Sequence, residues 1–66
     1  MNVYRVRAHW DEDAKVWWAE SDEVPGLASE ALTLEQLDEN VRAIAPELLL
    51  LNKGVTGRVL IELIRE

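Results

Sequence analysis

Residues Thr33–Leu51 read TLEQLDENVRAIAPELLLL, and how this stretch folds decides the rest. Leu34, Leu37, Val41, Ile44, Leu48 and Leu51 recur at spacings of three and four, which places them on one face of a helix. Thr33 is suited to cap its start, with Gln36 completing a capping box and Leu32 set to staple onto Leu37. Glu35, Asp38 and Glu39 load the first turns with the negative charge that the helix dipole favours. Pro46 removes one backbone hydrogen bond, so the helix is expected either to kink there or to restart with Pro46 as a first residue. Asn52-Lys53-Gly54 supplies the stop.

A single amphipathic helix needs a sheet to lie on, and the flanking sequence supplies strands. In Val3–Trp10, Tyr4, Val6, Ala8 and Trp10 alternate with Val3, Arg5, Arg7 and His9, the period of a half-buried strand. Asp11–Ala14 is short and polar, as a hairpin connection would be, and Lys15–Ser21 reads as the second strand. Its adjacent Trp17 and Trp18 must point to opposite faces. Trp18 is assigned to the core, with Val6 and Ile61, opposite Leu37, Val41, Ile44 and Leu48 of the helix. Val24-Pro25-Gly26-Leu27 is a turn, and Ala28–Leu32 has the length of a short third strand. Val55–Ile64 is the last strand, with Val59, Ile61 and Leu63 on one face and Leu60 and Ile64 on the other. The expected fold is α+β in the order β-β-β-α-β, a small antiparallel-type sheet with one Pro-kinked helix on one face.

The 66 residues allow one domain, 1–66, with a modest core. Absence of cysteine excludes disulfides and thiol chemistry and fits a cytoplasmic location. Met1–Asn2 run straight into a strand pattern, without a signal peptide, and the longest apolar run, Leu48–Leu51, is too short for a membrane. The formal net charge is −6, and from Asp11 to Glu39 ten carboxylates face a single cation, Lys15. Direct binding to nucleic acid would require a basic stripe, and Arg5 and Arg7 are the only clustered cations. The charge instead suits a basic protein partner.

The ordered set Trp17-x-Ala19, Val24-Pro25-Gly26-Leu27 and Thr33-Leu34-Glu35 resembles the HicB-like antitoxin family, and most closely the small DUF1902 group of uncharacterised proteins. The resemblance covers residues 3 to 51 well and the last strand loosely. Leu27 stands where many HicB proteins have cysteine, and Ala31-Leu32 replaces the usual Gly-Asp. HicB proteins commonly carry a second, DNA-binding domain; the chain ends at Glu66, so none is expected here. The resemblance implies a degenerate, partial RNase H-like fold that binds a toxin instead of cutting nucleic acid. The implied partner is HicA-like, a small basic RNA-cleaving toxin.

Two sets of interaction residues follow. Asp22, Glu23, Glu30, Asp38 and Glu39 are candidates for meeting the basic partner. Trp17, Leu49, Leu50, Leu60 and Ile64 are apolar positions that one helix cannot cover, and they imply a homodimer or higher even oligomer. The competing readings are a stand-alone oligomeric module and a degenerate metal-dependent nuclease using Asp11, Asp13, Asp22 and Glu23. Asp11 and Asp13, however, occupy a turn in which aspartate is favoured for local reasons. His9 has no histidine or serine partner, Gly54–Gly57 lacks the ending of a phosphate loop, and the three tryptophans lie in the wrong charge for stacking bases. A binding protein without cofactor, metal or catalytic residues is therefore expected.

Overall fold

The computed structural model describes residues 2–66, Asn2 by its backbone only; Met1 lies outside them. The described chain runs β1 (Asn2–Asp11), β2 (Val16–Glu20), β3 (Ser29–Ala31), α1 (Leu34–Lys53) and β4 (Val59–Arg65), the expected α+β order. The four strands form one sheet in the spatial order β3-β2-β1-β4. The β1–β2 and β2–β3 pairings are antiparallel, as expected, but β4 lies parallel to β1, so the sheet is mixed. The helix is the reason: it carries the chain back along the sheet, and β4 then starts from the same end as β1.

The β1–β2 turn closes through Lys15 N–H donating to the Asp11 carbonyl at 2.8 Å. Asp11 Oδ1 accepts from the N–H groups of Asp13 and Ala14, and Lys15 takes a left-handed φ of 59°. This sets the register Trp10↔Trp17, His9↔Trp18 and Ala8↔Ala19. Opposed residues share a face, so Trp17 and Ala19 join Tyr4, Val6, Ala8 and Trp10 on the helix side of the sheet, where Trp10 stays exposed, while Trp18 joins Arg7 and His9 on the other side. The assignment of Trp18 to the core is thereby corrected: Trp17 packs against the core and Trp18 is 38% exposed.

The helix runs unbroken through Pro46 from the Thr33 cap, whose Oγ1 accepts from Gln36 N–H at 3.1 Å. Gln36 turns its amide to Asn40 and Leu32 is mostly in solvent, so the capping box is half made and the staple on Leu37 does not form. At the far end Gly54 takes φ 66° and donates to the Leu50 carbonyl, a conformation glycine adopts without a Cβ penalty. The fully buried helix residues are Leu37, Val41, Ala45 and Leu49, at steps of four. Ile44 and Leu48, expected in the core, are half-buried, and Leu51 is largely exposed.

A second layer of packing explains this shift. Between β2 and β3 the chain folds over the helix, where Val24 is fully buried. Leu27 N–H returns to the Val24 carbonyl at 3.3 Å, with Pro25 and a positive-φ Gly26 between them, the pattern of a type II turn. A Cβ at Gly26 would stand 3.7 Å from Leu48. Leu48 therefore lies beneath the turn, and Leu49 takes the place in the core. The core consists of Val6, Ala8, Ala19, Val24, Leu37, Val41, Ala45, Leu49 and Ile61, without an aromatic ring among them.

Candidate interaction surfaces

The helix covers one face of the sheet. On the other face, Val3, Arg5, Arg7 and His9 of β1 alternate outward, beside Val16, Trp18 and Glu20 of β2 and Leu60, Glu62 and Ile64 of β4. Register places opposite charges side by side at its centre. The Arg7 guanidinium holds the Glu20 carboxylate through two nitrogens, the Nη2 bond being 2.7 Å long, and reaches Asp22 at 2.9 Å. His9 Nε2 lies 2.9 Å from the same Glu20 carboxylate, and its ring stacks on Trp18 at 4.5 Å. The Arg7 hydrogen bonds, and secondarily His9, pull the Glu20 carboxyl down from its ordinary 4.5 to about 2. Hydrogen bonds to Glu20 and then Asp22 raise Arg7 in turn. This network is a strut across β1 and β2 in which one guanidinium is shared by two carboxylates, Glu20 and the largely exposed Asp22.

The five acidic candidates do not form one patch. Asp22 and Glu23 lie in the β2–β3 connection, where Asp22 pairs with Arg7 and Glu23 accepts the Arg5 backbone N–H. Glu30 stands opposite Trp18 on the uncovered face. Asp38 and Glu39 lie on the helix, across the sheet from Glu30, and Asp38 accepts two bonds from Arg42 Nε at 2.9 and 3.0 Å. Glu30 and Glu39 make no ion pair among the described residues.

The apolar candidates separate as well. Leu49 is fully buried within the protomer and so cannot form a contact with another chain, and Trp17 packs against the core. Leu50 is half exposed on the helix, while Leu60 and Ile64 stand half-buried on the uncovered face of β4. Of the carboxylates considered for metal chemistry, Asp11 is occupied by its turn and Asp22 by Arg7. Among the described residues no three His, Asp or Glu side chains converge as metal ligands, and no helix is long and apolar enough to cross a membrane.

The model of the family described as a domain of unknown function, DUF1902, matches residues 3–64, nearly the whole chain and all five elements. The chain belongs to the DUF1902 family. This DUF1902 domain is also similar to a solved structure, the crystal structure of hypothetical protein TTHA1013 from the extremely thermophilic bacterium Thermus thermophilus. The two are 44% identical with a TM-score of 0.89, over 98% of this chain and 93% of that one. No curated protein matches the chain significantly.

The structure gives the motif residues of this DUF1902 domain a structural task. Trp17 and Ala19 face the helix, and Val24, Pro25, Gly26 and Leu27 form the turn that seals its C-terminal half. Thr33 caps the helix, Leu34 packs on the core and Glu35 lies in the first turn. The residues the sequence reading missed are Arg7 and Glu20 as a pair. Alternation places Arg7 and Glu20 on a polar face, but only the hairpin register brings them together.

Proposed function

We propose that this DUF1902 domain is a non-enzymatic protein-interaction module of the HicB antitoxin type. It acts in the cytoplasm as a homodimer or higher even oligomer and masks a small basic HicA-like RNA-cleaving toxin. The observation that carries the reading is the charge distribution: ten carboxylates against one lysine between residues 11 and 39. These residues comprise the hairpin tip, β2 and β3, on the side of the sheet opposite β4, and the first turns of the helix, whose Glu35 and Asp38 lie beside Leu63 of β4. Arg7, Lys15 and Arg42 pair with some of these carboxylates, and the acidic excess that remains steers a basic partner and holds nucleic acid off. Carboxylates spread over the surface, with no three converging among the described residues, suit binding better than catalysis.

Glu30 and Glu39 are the carboxylates to reverse, because among the described residues neither makes an ion pair, whereas Asp22 and Asp38 do. Glu30→Lys with Glu39→Lys is expected to slow association with a basic HicA-type toxin several-fold at low salt. The difference fades near 0.5 M, where the screening length falls to about 4 Å. Stopped-flow mixing measures it, and an association rate indifferent to the reversal at every salt would reduce the acidity to a solubility device.

A further inference from the structure

The outer edge of β4 is the longest unpaired backbone on the sheet. β3, at the opposite edge, has three residues and β4 has seven. Exposed edges are ordinarily blunted by proline, bulges or several charges. β4 carries Glu62 at its centre and Arg65 at its end, and the residues between them and before them are apolar on both faces. Its hydrogen-bonding phase can be read from the parallel register. Glu66 N–H donates to the Ala8 carbonyl, and Ala8 is registered with Arg65. In a parallel ladder the residues that bond inward alternate with those that bond outward. Residues 60, 62, 64 and 66 therefore face β1, and Val59, Ile61, Leu63 and Arg65 direct N–H and C=O to the open edge.

We propose that this edge pairs with the β4 of a second copy, antiparallel about a two-fold axis at Glu62, giving a continuous eight-stranded sheet. The proposal rests on the self-association reading above and names its contact. A two-fold axis pairs identical strands antiparallel and closes the assembly. In this register Ile61 meets the second copy's Leu63 and Val59 meets its Arg65, so outward-bonding residues exchange hydrogen bonds. Leu60 meets Ile64 on the uncovered face, beside Val3, and extends its apolar strip. Arg58 meets Glu66, and the second copy's Arg65 comes beside the groove bordered by Glu47, Leu50 and Val59. The two Glu62 carboxylates oppose each other, but each lies 3.7 Å from its own Arg5, which offsets the repulsion. Seven strand residues span about 24 Å. The exposed helix residues Pro46 and Leu50 lie beside Val59 and extend the contact beyond the strand edge.

The chain has no cysteine, so single-cysteine variants report contacts cleanly. Sedimentation should show a dimer, and Glu62→Cys should cross-link to itself on oxidation, whereas Trp18→Cys and Leu50→Cys should not. The amides of Ile61 and Leu63 should exchange slowly and become faster on dilution. Glu62→Lys, which sets four cations in a row, should weaken the dimer at least tenfold while the helical circular dichroism signal persists. A monomer at high micromolar concentration would overturn both the pairing and the self-association reading. A dimer that cross-links through Trp18, with Ile61 and Leu63 amides in free exchange, would overturn the pairing alone.

Discussion

Glu20 shows how much a single residue owes to register. Alternation alone makes it one more exposed carboxylate on a polar face. Its position opposite Arg7, with His9 two residues on, makes it the acceptor of the central network. Its folded pKa lies below its ordinary value, so its contribution to stability is present above about pH 4.5 and is lost as pH falls toward 2. Glu20→Gln has no such proton to take up. Urea unfolding followed at pH 6 and about pH 2.5 should therefore show the native protein losing more stability than Glu20→Gln across this interval. Equal losses would mean that the network does not persist in solution.

At the scale of elements, the helix was the most legible part of the sequence, and its limits are instructive. Thr33, Leu37, Val41 and Gly54 perform the tasks their spacing implies, because capping and periodicity are local properties. Ile44, Leu48 and Leu49 were misplaced because burial in the second half is decided by Val24 and the Pro25-Gly26 turn, about twenty residues away in sequence. The choice between Trp17 and Trp18 depended on the length of the hairpin, which alternation does not fix. The parallel placement of β4 depended on where the helix delivers the chain. Leu37 is in the core by both accounts, and Leu37→Ala should cost about 2–5 kcal/mol. Against a total of roughly 5 kcal/mol for so small a domain, thermal melting should show it largely unfolded. A melting curve barely displaced would show that Leu37 does not anchor the helix to the sheet.

For the whole molecule, the sheet order places two different surfaces at opposite edges. The acidic stretch from residue 11 to 39 includes β2 and β3, and the unblunted backbone belongs to β4. A dimer joined through β4 would leave Glu30 on β3 free on each copy, whereas Glu35 and Asp38 of the first helical turns lie beside Leu63, next to the joint. The acidity of this stretch was visible in the sequence because charge needs no fold to be counted. Its separation into Asp22 and Glu30 on one side of the sheet and Asp38 and Glu39 on the other was not, because it depends on the packing of α1. The claim that the domain masks a toxin is tested most directly with the protein encoded in the neighbouring reading frame. RNA cleavage by that protein should be measured while the DUF1902 chain is titrated in. The account predicts a small basic RNA-cleaving protein whose activity ceases at one chain per toxin. A neighbour that cleaves RNA equally well at every ratio, or that is not a basic nuclease, would contradict it.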